Sequence, residues 1–279
     1  MKKIIYSFIV LLFLILYPAW QWIPKTSSQL KIAVLNVGQG DSIYLRTPAG
    51  MDILIDGGPD RKVLSELGEV MPPYDHQIEL VIATHGDSDH IAGLAELSEA
   101  YSVKTLITNG DKKDTAFTQA LSAWREQGVE VWPAYRGWHL ELEQGITLDF
   151  LNPNPPNLHK DTNDNSVVCV LSYQGFSALF MGDAPLGIED ELLKAGLLKH
   201  VDILKVGHHG SRTSTGSKFL QTLTPAIALI SVGFQNKFGH PHAAPLLRLK
   251  NRGVNVFRTD LQGRIICQTD GQAFSCQGD

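Results

Sequence analysis

Leu80-Val81-Ile82-Ala83-Thr84-His85-Gly86-Asp87-Ser88-Asp89-His90 decides how this chain folds. Its first five residues form a compact apolar run, as expected of a strand buried on both faces. The six that follow hold two histidines and two aspartates. A strand that ends in a tight turn aims successive side chains at one point. Imidazole and carboxylate together are the ligands of metals such as Zn and Mn. Four such groups are costly to bury unless they are paired or hold a cation, so the turn reads as metal-binding.

Outward from this turn the chain alternates strands and helices. Short β-rich runs at 31–37, 42–47 and 52–56 are separated by Gly38-Gln39-Gly40 and Pro48-Ala49-Gly50 and read as a meander. A helix is expected over 91–100, a strand over 105–108, and a helix over 115–127 that Gly128 ends. Strands follow at 129–132, 146–151, 166–173 and 177–181. After these come a helix at 189–195, a strand at 201–206, a helix at 217–222, a strand at 227–232 and a helix around 244–251. Strands near 254–257 and 263–268 close the chain. No internal stretch has linker composition, so 30–279 reads as one α/β sandwich.

The 279 residues are 43% hydrophobic and 19% charged, an ordinary globular composition that excludes disorder, collagen and coiled coil. Mean hydropathy is −0.04, and only one stretch is long and apolar enough to span a bilayer, which excludes a polytopic membrane protein. That stretch is N-terminal: Lys2 and Lys3 precede an uncharged run reaching Ile23, with Trp20 and Trp22 placed as interfacial anchors. Residues 1–23 therefore read as an uncleaved signal anchor or a signal peptide, and 24–29 as a linker. The folded part is expected outside the cytoplasm, membrane-anchored, or secreted or periplasmic if the segment is cleaved. Three cysteines are too few for a disulfide scaffold. In an oxidising compartment a Cys267–Cys276 bridge across the Asp270-Gly271 turn becomes available; Cys169 reads as a small core residue.

The net charge of −5 argues against a nucleic-acid partner, but its distribution does not. Between Val201 and Ile265 nine Lys and Arg stand against Asp202 and Asp260. Such a segment is either a solvated face or an electrostatic footprint.

The motifs resemble a known family. His85-x-Asp87-x-Asp89-His90 after a strand is a variant of the signature of the metallo-β-lactamase fold. Asn36-Val37-Gly38-Gln39-Gly40-Asp41-Ser42, Leu54-Ile55-Asp56-Gly57-Gly58, Asn163-Asp164-Asn165-Ser166, Phe180-Met181-Gly182-Asp183, Leu204 through Ser211 and Phe238-Gly239-His240-Pro241-His242 follow in order. Together they resemble the ComEC-like branch of competence proteins. The resemblance implies a four-layer αββα sandwich, preceded here by one N-terminal apolar helix. It implies one or two divalent ions, Mn or Zn, on His85, Asp87, Asp89, His90, Asp164, Asp183 and His240. Asp164, or a water on Asn163, stands where the wider family has a histidine. Asp56 matches a carboxylate that orients ligands.

Asp89, His208 and His209 are the expected catalytic residues, one of the two histidines donating a proton to the leaving group or binding phosphate. Lys205, Arg212 and Lys237 are expected to hold substrate phosphates, and Ser211 to add a donor. The reaction implied is metal-dependent hydrolysis of a phosphodiester, with DNA as substrate, in DNA uptake or degradation. The resembling proteins carry a multi-span channel ahead of this domain, so a separate DNA-uptake channel protein is an expected partner. Two alternatives stay open: hydrolysis of a lactone, ester or amide on the same fold, and a non-catalytic binding module with a decayed metal site.

Overall fold

A computed structural model describes residues 29–110, 115–155 and 158–279. The expected N-terminal anchor, residues 1–23, lies outside the described residues. Among those described, no helix is long and apolar enough to cross a membrane.

Two sheets are stacked face to face. The first contains β1 (Leu30–Val34), β2 (Ile43–Arg46), β3 (Asp52–Ile55), β4 (Gln77–Ala83), β5 (Ser102–Thr108) and β6 (Glu130–Pro133). The second contains β7 (His139–Glu143), β8 (Ile146–Asn152), β9 (Val168–Tyr173), β10 (Phe176–Phe180), β11 (Ile203–Lys205), β12 (Ile227–Ile230) and β13 (Asn255–Arg258). The chain then returns to the first sheet as β14 (Ile265–Thr269) and β15 (Phe274–Gly278), giving the orders β15-β14-β1-β2-β3-β4-β5-β6 and β13-β12-β11-β10-β9-β8-β7.

The two-residue period of a strand explains the layering. In β1, Ile32 and Val34 join the core between the sheets, while Ala33 faces the helices outside. In β10, Ala178 and Phe180 face inward and Leu179 outward. Both faces of the central strands are thus apolar, and each outer face needs a cover. Helices α1 (Lys62–Val70), α2 (Ser88–Glu96) and α3 (Thr115–Glu126) cover the first sheet; α4 (Leu186–Lys194), α5 (Ser217–Leu223) and α6 (Ala243–Lys250) cover the second. The result is the four-layer αββα sandwich implied by the motifs. A short helix, α7 (Thr259–Gln262), precedes β14.

Cys267 lies opposite Cys276 in the antiparallel β14–β15 ladder, and the two are disulfide-bonded. Cys169 is buried in the inner core, where desolvation pushes its thiol up to about 12.

Strand direction matters most for function. β3 and β4 are parallel in the first sheet, and β10, β11 and β12 are parallel in the second. The carboxyl ends of these strands carry the polar motifs, so the loops that bear them meet at one edge of the sandwich.

Candidate metal centre

Thr84 and His85 leave the end of β4, and α2 begins at Ser88 with Asp89 in its first turn, where an acidic group suits the helix dipole. His90 and Ile91 donate their backbone N–H groups to Asp87 O, closing the turn. Asp56 follows β3, Asp183 follows β10, and His208 and His209 follow β11.

Close backbone approach brings these loops together. A Cβ on Gly40 would lie 2.0 Å from the Asp89 carbonyl oxygen, and one on Gly93 would lie 2.0 Å from Gly57 O. Only glycine lets the Asp41 loop and the Asp56 turn sit this close to α2. Asp56, His208 and His209 all adopt positive φ, of 59°, 50° and 51°. Non-glycine residues held there cost about 1–3 kcal/mol each and cluster at functional sites.

Three imidazoles are oriented alike. Asp56 accepts from Thr84 N at 2.8 Å and Thr84 Oγ1 at 2.7 Å, and its Oδ2 also lies 2.8 Å from His90 Nδ1. Thr84 Oγ1 is 3.0 Å from His85 Nδ1. His209 Nδ1 donates to Ser231 O at 2.9 Å and lies 3.2 Å from Asp41 Oδ1. In each ring Nδ1 is occupied, which leaves Nε2 as the free lone pair.

These Nε2 atoms converge. His90 Nε2 lies 3.2 Å from Asp183 Oδ1, His209 Nε2 lies 3.7 Å from the same oxygen, and His85 Nε2 lies 4.0 Å from Asp183 Oδ2. Asp89 Oδ2 adds a carboxylate 3.4 Å from His209 Nε2. Donor atoms within 4.8 Å of one another occur in the groups His85/His90/Asp183, Asp89/His90/His209 and Asp41/Asp183/His209, which share members and form one cluster. The Nε2 atoms of His85, His90 and His209 and Asp183 Oδ1 are buried without hydrogen-bond partners. Buried polar atoms are normally paired, so this donor set fits a divalent cation.

Electrostatics agree with that fit. Burial would raise Asp183, but His90 and His209 outweigh it and hold its carboxyl well below the usual range. Burial lowers His209, but Asp183 and Asp41 override it and push the ring up to about 10. The anionic donors thus demand a positive charge, which a proton or a metal ion can supply.

Lys205 corrects one expectation. It is fully buried at the end of β11 and ion-paired with Asp41 at 2.5 Å, so it cannot touch a substrate phosphate. Burial alone would raise Asp41, but Lys205 and then His209 hold it far below the carboxylate range. Other members of the basic run are also committed internally: Arg248 donates to Ser214 O and Thr215 O, Arg258 pairs with Asp260, and Arg264 pairs with Asp279. Arg212 and Lys237 are exposed.

The remaining expected residues sit around the cluster. Asp87 Oδ2 is 3.8 Å from His85 Nε2. His208 is 29% exposed and its Nε2 lies 3.7 Å from Asp183 Oδ2, at the open rim. His240 packs 5.6 Å from the His208 ring and 6.2 Å from His209, outside the convergent donor groups, with a buried, unpartnered Nδ1. Burial and the neighbouring His209, His208 and His242 pull it down to about 4. Asp164 also lies outside those groups, with its Oδ2 3.9 Å from His159 Nδ1. Asn165 bonds His159 and Asp161 and pins this turn, and within it Asn163 Oδ1 is buried without a partner. Asp41 was not among the expected site residues; the Gly40-Asp41-Ser42 turn was its signal.

A stacked pair of mixed sheets, clad in helices and carrying convergent His and Asp donors at its strand ends, defines a metal-dependent hydrolase fold. The chain belongs to the metallo-beta-lactamase superfamily, whose family model matches residues 35–233. It is 34% identical over 260 residues to ComE operon protein 3 of Bacillus subtilis (strain 168), covering 87% of this chain and 33% of that protein. It is 31% identical over 268 residues to Recombination protein 2 of Haemophilus influenzae, covering 94% and 30% respectively. The chain thus spans about a third of the length of these curated relatives. Among solved structures it resembles the metallo-beta-lactamase fold protein YhfI from Bacillus subtilis, with a TM-score of 0.57 and 14% identity over 82% of this chain and 95% of that one. At that identity the likeness concerns the fold alone.

Proposed function

We propose that the protein is a divalent-metal-dependent phosphodiesterase that hydrolyses DNA outside the cytoplasm. The observation that carries this reading is the convergence of three buried Nε2 atoms and Asp183 Oδ1, without hydrogen-bond partners, beside the partly exposed His208. The similarity to Recombination protein 2 of Haemophilus influenzae supports DNA as substrate, and the exposed Arg212 and Lys237 supply cations beside the site. The Lys2-Lys3 and apolar N-terminal pattern, together with the Cys267–Cys276 bond, supports an oxidising compartment. A separate channel protein remains the expected partner in DNA uptake.

His85, Asp89, His90, Asp183 and His209 would hold one or two ions, with Asp87 beside them and His240 packed against His208 and His209. Bound ions supply Lewis-acid polarisation of a phosphoryl oxygen and lower the pKa of a water. Asp41 and Asp56 act through the rings they orient, keeping Nε2 of His209 and His90 turned inward. His208 stands on the open side, where it can hold a proton for the departing oxygen.

The test separates the two adjacent histidines. His208→Ala should keep its metal, measured by elemental analysis, and lower kcat on labelled DNA by about 10²–10⁴-fold. His209→Ala should lose metal as well as turnover. Equal metal loss in both variants would contradict the division of roles. Inactivity of the metal-loaded protein on DNA, with cleavage of a lactone or ester, would decide for the other hydrolase.

A further inference from the structure

The loop from β12 to α6 carries two large aromatic side chains in solvent. Phe234 is 71% exposed and Phe238 is 51% exposed. Single exposed apolar residues are common and need no explanation. This pair differs because its loop is held in place. Asn236 Nδ2 donates to Gly233 O at 3.0 Å and to His240 O at 2.6 Å, while Asn236 Oδ1 accepts from Phe238 N at 3.2 Å and His240 N at 3.0 Å. Gly233 N also reaches Gln39 Oε1 at 3.3 Å, which ties the loop to the Gly38-Gln39-Gly40 turn.

The rings form a path out of the metal centre. His240 packs 5.6 Å from His208, and Phe238 stacks on His240 at 5.8 Å with planes 21° apart. The Lys237 ammonium lies 5.1 Å from the Phe238 centroid. The Phe238 ring face with a cation beside it, and a second exposed ring, Phe234, four residues earlier in the same tied loop, suit a flat aromatic ligand that carries negative charge on a flexible link. A nucleotide of an unpaired strand is such a ligand. Bases in a duplex are stacked on both faces and cannot offer one.

We propose that Phe234 and Phe238 form a base-stacking platform that seats a nucleotide of single-stranded nucleic acid beside the phosphodiester at the metal centre. The proposal rests on the phosphodiesterase reading for where the phosphate lies. Stacking tolerates every base, because each has a π face, so the platform selects strandedness rather than sequence. Lys237 and Arg212 would neutralise the adjoining phosphates.

The test uses the full chain loaded with Mn and phosphorothioate strands that resist cleavage. One strand carries bases, a second of equal length is abasic, and a third is a duplex. Wild type should bind the base-bearing single strand about tenfold or more tightly than the abasic one. Phe234→Ala/Phe238→Ala should bring that ratio close to one. Phe238→Trp should preserve the ratio, and Phe238→Leu, equally apolar but without a π face, should not. Equal wild-type affinity for base-bearing and abasic strands, or preference for the duplex, would overturn the platform. So would loss in the double variant of binding to anionic vesicles with the base-bearing ratio intact, which would assign the rings to a membrane surface. Cleavage of an ordinary phosphate strand by wild type is read separately. If cleavage is absent while base-dependent binding persists, the phosphodiesterase reading fails and the platform stands. If cleavage occurs without base-dependent binding, only the platform fails.

Discussion

Lys205 and Asp41 form an ion pair with both side chains almost wholly out of water, at relative exposures of 0% and 1%. Breaking a buried pair from one side leaves a charge stranded, which costs about 3–5 kcal/mol. Lys205→Met should lower stability to unfolding by urea by that order and weaken metal binding, because Asp41 loses the cation that holds it beside His209. Adding Asp41→Asn should recover much of the stability but not the metal affinity. A single variant within 1 kcal/mol of wild type would refute the assignment. The pattern of β11 made part of this legible. Ile203 faces the inner core and Leu204 the outer helices, so the alternation turns Lys205 inward again. Its basic neighbours in sequence drew it instead into a phosphate-binding surface. His85, Asp89, His90 and Asp183 were readable because strand-end turns gather their own neighbours. His208 and His209 were not separable, since two consecutive left-handed residues decide which ring turns inward, and φ is invisible in a list of residue types.

Elements were legible where burial is strongest. The expected strand at 80–84 and helix at 115–127 lie within a residue or a few of β4 and α3. Helix α1 has a weak sequence signature although Val63, Leu67 and Val70 are buried at helical spacing, because Gly68 and the nearby acids dilute the pattern. Strand β7 is half-exposed and polar, and β15 is a short edge strand, so neither carries an apolar signature. One contact between elements has a measurable pH signature. Glu189 of α4 accepts from Thr215 N and from Gly216 N, at the start of α5. Burial nevertheless pushes its carboxyl up to about 7, against those two donors. The folded state therefore binds this proton more tightly than the unfolded chain. Its contribution to stability is fully present below the unfolded value of 4.5 and is lost as pH rises through about 7, amounting to at most about 3 kcal/mol. Urea midpoints of wild type and Glu189→Gln, compared at pH 5 and pH 8, should diverge in that direction. Parallel midpoints would refute it.

At the scale of the whole molecule, the donors of the candidate metal centre come from both sheets: His85, Asp89 and His90 from the first, Asp183 and His209 from the second. A ligand that binds only the folded state stabilises it by about 2.7 kcal/mol at a hundred times its Kd. Adding Mn or Zn to chelator-treated protein should therefore raise the melting temperature in one cooperative transition, and Asp183→Asn should abolish most of the rise. A metal-induced shift confined to part of the melting curve would mean that the cluster does not bridge the sheets. The Lys205–Asp41 pair, 164 residues apart in sequence, carries the same logic into protein synthesis. The ribosome releases Asp41 long before its lysine, and His209 emerges later still. Until then a nascent chain carries Asp41 without the ammonium that pairs with it and without the His209 ring that lies against it. The full set of convergent donors exists only once the second sheet has closed on the first, so a chain still on the ribosome cannot present it.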